Sequence, residues 1–434
     1  MRGERFVVLG LAHPRSAWFR EVARWAMSAA LPVEFVQTVS VEELRARLRA
    51  GRAYSAVLVD GGLPGVDRDL LDAARHVGCA VLVVGDARAG HDWPALGANT
   101  VLAPDFERST LLDALETYSA RVGRGDEIAL APTSAPNGWR APLMAVVGSP
   151  GAGASTVAMA LAQGLAADTR HGGMVLLADL NLDADQAALH DARDVVPGVA
   201  ELVDAHRGGQ PSADEIRTLT FRVPTRSYHL LLGLRRHRDW TVLRPRAFEA
   251  AVDGLRRSYS MVVADVNHDL EGEADVGSVD VEERNLMART AVTAADAVVA
   301  VGGPGLKGTL GIVRLFHSLL EHGVASARVV IVVNRSPRSP KARAELTRAL
   351  AELVARADAP PMRVSPTFLP DRRHLEQAIR DVAALPAPLV GPVTAAVTAV
   401  LARVPTAAEP TATEPVRVAP GSLGTWADEE ESAR

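Results

Sequence analysis

The chain has 434 residues, a formal net charge of -5 and a single cysteine, Cys79. Its length predicts two domains with sizeable cores, and its slight negative charge excludes a global basic field for nucleic acid. One cysteine excludes an internal disulfide and suits a reducing compartment. The first residues lack a signal-peptide pattern, and every apolar run is shorter than the roughly 18 residues of a membrane span. We therefore expect a cytoplasmic protein without a membrane span.

Residues 1–122 alternate short apolar runs with amphipathic stretches. The apolar runs, each typical of a buried strand, read RFVVLGL, VEFVQT, SAVLVD, AVLVVGD and NTVLAP. Strands that alternate with helices in this way predict a parallel sheet that is covered by helices on both faces. Residues 123–140 lose this periodicity and gain Gly, Pro, Ser and Asn, which indicates a linker.

A second alternation of the same kind occupies residues 141–405. Its strand candidates include LMAVVG, GMVLLADL, YHLLLGL, YSMVVADV, DAVVAVGG, ARVVIVVN and MRVSPTFL. Aromatic residues make up only 4% of the chain and hydrophobic residues 48%, which favours an α/β core rich in Ala, Val and Leu. Residues 406–434 are rich in Pro, Thr and Ala and end in acidic residues, and they predict a disordered tail. The predicted fold class is α/β, with two units built on mainly parallel sheets.

The turn between the first strand and the first helix of the second unit has the spacing of a phosphate-binding loop. Such a loop reads G-x-x-x-x-G-K-[ST], and MAVVGSPGAGAST has Ala154 at the lysine position. Ser155 follows at the position of the hydroxyl that binds Mg²⁺. Backbone N–H groups at such a turn bind phosphate whatever the side chains are, and a glycine turn that binds nothing is the alternative. The residues expected to bind nucleotide here are Gly148, Gly151, Gly153, Ala154, Ser155 and Thr156.

Polar residues end other predicted strands of the same unit. Asp179 and Asn181 end one strand, Asp265 ends another, and Asn334 and Arg335 end a third. Ligands of parallel sheets bind outside the carboxyl ends of the strands, so these side chains are expected around the loop. Asp265 has the place of the carboxylate that holds Mg²⁺ together with the loop hydroxyl, which predicts a metal site formed by these two groups.

With these motifs in this order, residues 141–404 resemble the MinD/ParA group of P-loop ATPases. The resemblance is strongest to its CpaE/TadZ branch, and the whole arrangement resembles the actinobacterial CpaE-like group of septum site-determining proteins. The loop of the MinD/ParA group, K-G-G-x-G-K-[ST]-T, carries two lysines. This chain has Ser149 and Ala154 at those two places.

The resemblance implies further contacts to the nucleotide. In the group, the Asn of an N-R stretch faces adenine, and this position matches Asn334, with Arg335 beside it. A late P-x-D segment of the group matches Pro370 and Asp371 in FLPDRRHLEQAIRD. All four residues are therefore expected to bind nucleotide.

Three positions that serve hydrolysis in the group are changed here. Its D-x-D pair, whose second Asp helps to activate water, reads Asp179-Leu180-Asn181, and Asn181 cannot act as a carboxylate base. Both lysines that neutralise phosphate charge are also absent. We therefore predict a catalytic position at Asp179, a degenerate one at Asn181, impaired hydrolysis, and weak binding of ATP or ADP with Mg²⁺. Two alternatives remain open: an active ATPase with non-standard phosphate-contacting residues, and a scaffold that binds no nucleotide.

The first unit resembles a response-regulator receiver. SAVLVDGGLPGVD matches the phosphoacceptor pattern D-x-x-[ML]-P at Asp60, Leu63 and Pro64. The acidic pair that holds Mg²⁺ in a receiver is replaced by Gly-Leu-Ala at residues 10–12, and the lysine by Ala103. Because these changes leave the charge of phosphoryl transfer uncompensated, we predict a degenerate receiver in which Asp60 is not phosphorylated.

The combined resemblance implies a spatial-regulation protein. It acts in septum site determination or in the localisation of Flp/Tad-type pilus or secretion machinery, and it is recruited to a pole or septum. The expected partners are proteins of such an assembly and a second copy of the chain. The basic stretch RRHRDWTVLRPR, at residues 235–246, is interpreted as a solvated loop and not as a nucleic-acid site.

Overall fold

The computed structural model describes residues 5–13, 16–50, 52–85, 91–122, 140–193, 196–355 and 365–403. The predicted linker, apart from Arg140, and the predicted tail at residues 406–434 lie outside the described residues. Within the described ranges, no helix is long and apolar enough to cross a membrane.

Five parallel strands form the first sheet, in the order β2-β1-β3-β4-β5. This is the flavodoxin-like order, and it confirms the predicted α/β class. The three central strands β1, β3 and β4 are buried on both faces, which explains why their sequences are continuous apolar runs. The elements are β1 (Phe6–Leu11), α1 (Ala17–Met27), β2 (Val33–Thr38), α2 (Val41–Arg49), β3 (Ala56–Asp60), α3 (Arg68–His76), β4 (Ala80–Val84), α4 (Trp93–Leu96), β5 (Thr100–Leu102) and α5 (Arg108–Tyr118).

Eight strands form the second sheet, in the order β13-β12-β11-β6-β10-β7-β9-β8. All neighbours are parallel except β8 and β9, which form an antiparallel edge that the sequence did not predict. The central position of β6 places the glycine-rich turn in the middle of the carboxyl edge. The strands are β6 (Leu143–Gly148), β7 (Val175–Leu180), β8 (Phe221–Val223), β9 (Tyr228–Leu231), β10 (Met261–Val266), β11 (Ala297–Gly302), β12 (Val329–Ser336) and β13 (Thr367–Pro370).

Helices cover both faces of the second sheet. Helix α6, which follows the glycine-rich turn, is apolar almost all round and is buried between the sheet and α17. At Gly164 a Cβ atom would overlap the Oγ1 of Thr394, so glycine is what allows the two helices to approach. The helices are α6 (Ala154–Ala166), α7 (Gln186–Leu189), α8 (Val199–Gly208), α9 (Ala213–Thr218), α10 (Pro245–Ser258), α11 (Glu273–Val276), α12 (Val279–Arg284), α13 (Leu286–Ala294), α14 (Leu306–Glu321), α15 (Pro340–Val354), α16 (Leu375–Arg380) and α17 (Ala387–Leu401).

Helix α3 of the five-stranded unit packs against α8 and α10 of the eight-stranded unit. The buried Asp69 carboxylate accepts hydrogen bonds from the backbone N–H groups of Arg246 (2.9 Å) and Ala247 (3.2 Å), in the first turn of α10. These N–H groups have no partner within their own helix. Asp69 therefore caps α10 from another unit, and its negative charge suits the positive end of the helix dipole.

Arg68, the neighbour of Asp69, contacts the C-terminal end of a helix. Its Nε donates to the carbonyl of His206 (2.9 Å) and its Nη2 to the carbonyl of Gly209 (3.0 Å), at the C-terminus of α8. These carbonyls lie at the negative end of the helix dipole, so a guanidinium satisfies both their hydrogen bonding and their charge. Charged side chains of α3 thus join the two units at two helix ends.

Candidate functional site

The glycine-rich turn lies between the end of β6 and the start of α6. Gly151 and Gly153 have left-handed backbone conformations (φ 78° and 84°), which glycine adopts without steric cost. A Cβ at Gly153 would lie 2.5 Å from the Nδ2 of Asn334, so this position has no room for a side chain. Gly153 is also the N-cap residue of α6 and offers no side-chain acceptor. The N–H groups that open α6 are therefore left for water or a ligand.

Ser155 and Asp265, the predicted metal ligands, are brought together beneath this turn. Asp265 is 1% exposed, and burial raises its pKa to about 6, although hydrogen bonds from Gln186 and Ser155 oppose the shift. Its Oδ2 accepts from the Nε2 of Gln186 at 2.7 Å, but its Oδ1 has no hydrogen-bond partner. A buried acceptor without a partner is costly, and an oxygen in this state fits a cation or the water that a cation holds.

The donor set is small for a metal ion. Among the described residues no group of three or more His, Cys, Asp or Glu could hold one. Mg²⁺ commonly takes one or two protein oxygens and completes its octahedron with water and phosphate. Ser155 and Asp265 therefore fit Mg²⁺ that arrives with a phosphate ligand, and not a metal site formed by protein alone.

Asp179 lies on β7 directly beside Asp265 on β10, and it is fully buried. Burial, and then the neighbouring Asp265, raise its pKa well above the usual range. Its two oxygens accept from the backbone N–H groups of Gln186 (2.9 Å) and Asn181 (3.3 Å). The side chain of Asn181 in turn accepts from the N–H of Asp183 at 3.1 Å. Both predicted catalytic positions are thus engaged in shaping the turn after β7.

Asn334 and Arg335, at the end of β12, hold the outer side of the glycine-rich turn. The Nδ2 of Asn334 donates to the carbonyl of Ala152 at 2.9 Å, and the Nη1 of Arg335 donates to the carbonyl of Gly151 at 3.2 Å. The Oδ1 of Asn334 accepts from the N–H of Arg335. The resemblance implied that Asn334 faces adenine, whereas in this structure both polar atoms of its amide have partners within the protein.

The other predicted nucleotide contacts lie one strand further along the edge. Pro370 ends β13 and pairs with Ser336 of β12, and Asp371 follows it. The structure thus gathers the turn, Asp179, Asp265 and the Asn334–Arg335 pair at one place, with Pro370 and Asp371 beside them.

Sequence reasoning missed Gln186. This residue is fully buried, and its Nε2 donates both to Asp265 and, at 3.3 Å, to the carbonyl of Ser155. Its own Oε1 has no partner. The only available signal was a polar residue seven positions after Asp179, and the turn that brings it back over β10 was not predictable from spacing.

A series of buried hydrogen bonds holds the backbone of Gln186. The carbonyl of Gln186 lies 2.7 Å from the Nδ1 of His190, whose Nε2 lies 2.6 Å from the hydroxyl of Tyr228. Burial lowers the pKa of His190 to about 4, so its imidazole is neutral at pH 7. The neutral imidazole therefore fixes the backbone of Gln186 without adding charge next to it. The buried guanidinium of Arg226 contacts the far end of the series, where its Nη1 donates to the hydroxyl of Tyr228 at 3.5 Å.

The predicted phosphoacceptor, Asp60, ends β3. Its Oδ2 accepts from the hydroxyl of Ser16 at 3.1 Å and its Oδ1 from the N–H of Gly62 at 2.9 Å. Ser16 comes from the connection between β1 and α1, where a receiver would present its acidic pair. A neutral hydroxyl is therefore what contacts Asp60 from that side.

Comparison with known proteins shows similarity of fold alone. No family model and no curated protein matches this sequence. A ParA family ATPase from Chlorobium tepidum TLS matches with a TM-score of 0.46 at 15% identity, covering 59% of this chain and 98% of that one. The septum site-determining protein MinD from Pyrococcus horikoshii OT3, complexed with Mg-ADP, matches with a TM-score of 0.41 at 17% identity, covering 60% of this chain and 93% of that one. Apo McdA from Cyanothece matches with a TM-score of 0.43 at 16% identity, covering 60% of this chain and 99% of that one.

Proposed function

We propose that the chain binds ATP or ADP with Mg²⁺, weakly, at the turn between β6 and α6, and that it hydrolyses ATP poorly. One arrangement supports binding above all. A left-handed glycine turn opens onto the uncapped first turn of α6, directly beside a buried carboxylate, Asp265, that has an unpaired oxygen.

Each part of this arrangement has a task in the proposal. The N–H groups of the turn and of α6 hold the phosphates, and Ser155 and Asp265 hold the metal. When bound, Mg²⁺ neutralises phosphate charge. Hydrolysis is poor because Asn181 cannot accept a proton from water as a carboxylate does, and because no lysine from the turn stabilises the charge of the transition state.

Binding can be measured as a thermal shift. The missing charge-assisted contact weakens binding about 10–100-fold relative to a lysine-bearing loop. Mg-ADP or Mg-ATP at tenfold above its Kd, in the millimolar range, is expected to raise the Tm by about 3 °C. Gly153→Ala should abolish this shift, because its Cβ would strike Asn334 and its φ is left-handed.

Gly172→Ala is the matched control, since Gly172 also has a positive φ but a Cβ there would meet nothing. This variant should lower the Tm slightly and keep the nucleotide-dependent shift. If the unmodified chain gives no shift and no heat with either nucleotide at millimolar concentration, the turn is purely structural and the scaffold alternative holds.

We propose a spatial-regulation role, in septum site determination or in positioning Flp/Tad-type pilus or secretion machinery at a pole or septum. Its support is the motif resemblance to the CpaE/TadZ branch. The proposed partners are proteins of that assembly and a second copy of the chain. Purification of the chain with its bound proteins from the native host separates the alternatives: divisome proteins support the first role, and a secretion ATPase or pilus proteins support the second.

We also propose that residues 1–122 form a degenerate receiver domain, joined through residues 123–140 to a P-loop domain at 141–405. The neutral contact from Ser16 to Asp60 supports this proposal. Acetyl phosphate and beryllofluoride are expected to leave Asp60 unmodified, because no acidic pair holds the Mg²⁺ that phosphoryl transfer requires. Intact-mass analysis checks acetyl phosphate, and a fluoride-dependent spectral change checks beryllofluoride, each beside Asp60→Asn. A stoichiometric adduct on Asp60 that the variant lacks would make the unit a working receiver.

A further inference from the structure

The glycine-rich turn has a cation against it that sequence spacing did not reveal. The Nη1 of Arg335 donates to the carbonyl of Gly151 at 3.2 Å. The two lysine positions of the turn hold Ser149 and Ala154, and the only two lysines of the chain, Lys307 and Lys341, are distant in sequence. A guanidinium therefore lies at a turn whose own side chains bring no positive charge.

The backbone of β12 is shaped to aim this side chain. Pairing between β12 and β13 shifts register between Val333 and Ser336, so Asn334 and Arg335 lie at an irregularity of the ladder. Arg335 has φ 52°, a left-handed conformation that is uncommon outside glycine. Bulges of this kind redirect side chains next to functional sites, and here the consequence is that Arg335 reaches the turn.

The same contacts orient the donors of the turn. Asn334 holds the carbonyl of Ala152, and because a trans peptide is planar, the N–H of Gly153 points away from that carbonyl. Arg335 holds the preceding carbonyl in the same way. The carbonyls are thus drawn to β12, and the N–H of Gly153 is directed away from it.

A second feature of the site, independent of Arg335, points to a ligand. The Oδ1 of Asp265 and the Oε1 of Gln186 are buried without partners, and Asp265 lies beside Ser155. These oxygens fit a cation, and a divalent cation at such a site is commonly accompanied by phosphate. The charge of that phosphate would lie next to the turn, where the guanidinium of Arg335 attracts it without direct contact, since Coulomb attraction falls only as the inverse of distance.

We propose that Arg335 supplies the positive charge for the pyrophosphate group of a nucleotide at this turn, in place of the missing lysines. The inference rests on the proposed function. The nucleotide classes it concerns are the nucleoside diphosphates and triphosphates, because both carry a pyrophosphate group.

The test is calorimetric titration with Mg-pyrophosphate and Mg-ADP. Arg335→Gln is expected to weaken both affinities about 3–10-fold, the effect of losing one nearby charge that acts without direct contact. Arg335→Lys should keep most of the affinity. Arg338→Gln is the matched control, since it removes the same charge from an exposed position three residues further on, and it should change affinity less than threefold.

A double variant separates charge from loop shape. Ala154→Lys should raise the affinity in the Arg335→Gln background by at least the factor that it adds to the unmodified chain, because it places a positive charge at the same phosphates. An Arg335→Gln variant that binds like Arg338→Gln, or one whose affinity Ala154→Lys does not raise, would overturn the inference while nucleotide binding stands. An unmodified chain that binds neither ligand would instead overturn the proposed function and this inference with it.

Discussion

The variant that combines Ser149→Lys, Ala154→Lys and Asn181→Asp is expected to release phosphate from ATP about 10⁴-fold faster than the unmodified chain. A positioned general base contributes about 10²–10⁴-fold, and a donor aimed at the developing charge about 10²–10³-fold. Asn181→Asp is isosteric and keeps the oxygen that accepts from the N–H of Asp183, so the turn after β7 should survive the change. Phosphate release at saturating Mg-ATP is the measurement.

The single variants distinguish binding from turnover. Ala154→Lys alone should tighten ATP binding, since it adds a positive charge at the phosphates, and should leave hydrolysis nearly absent because the base is still missing. Asn181→Asp alone should change neither binding nor turnover by more than a few-fold. Full activity from Ala154→Lys alone would show that the other two substitutions do not limit hydrolysis.

Asp69→Ala is expected to lower the free energy of unfolding by about 2–4 kcal/mol. Asp69→Ala leaves the N–H groups of Arg246 and Ala247 without their partner, and each such loss costs about 1–3 kcal/mol. The expected loss is smaller than the full sum because burial raises the pKa of Asp69, so that its ionised form already carries a desolvation cost. Urea unfolding followed by far-ultraviolet circular dichroism measures the change.

Two variants on the same helix serve as controls for Asp69→Ala. Asp69→Asn keeps an acceptor oxygen for one N–H of α10 and should lose less stability. Asp72→Ala removes a partly exposed partner of Arg75, an ion pair worth about 0–1 kcal/mol. If Asp72→Ala and Asp69→Ala destabilise the protein equally, the contact of α3 with α10 contributes nothing specific.

The strands and the glycine-rich turn were predictable because their signals are local. Apolar runs such as LMAVVG need only their own residues to identify a buried strand, and the spacing of Gly148, Gly153 and Ser155 is set within one turn. Parallel-sheet geometry then predicts Asp265 and Asn334 at the same edge, and in the structure they lie near the carboxyl ends of β10 and β12.

The rest depended on contacts between distant segments. Asp69 reads in the sequence as an ordinary polar residue of an amphipathic helix, and only the docking of α3 makes it a cap for α10. Gln186 becomes part of the site because the turn after β7 folds back over β10. Arg335 was assigned from a resemblance, but its contact with the turn arises from a register shift in β12 that no periodicity records.

The central claim is that the chain binds ATP and hydrolyses it poorly. Its most direct test is phosphate release at millimolar Mg-ATP, measured for the unmodified chain and for Asp265→Asn. Nucleotide bound to the unmodified chain is expected to be recovered as ATP, with phosphate release no faster than from the Asp265→Asn variant. Robust release that Asp265→Asn abolishes would contradict this claim. That result would show that another group supplies the charge and the base, and that the chain is an active ATPase.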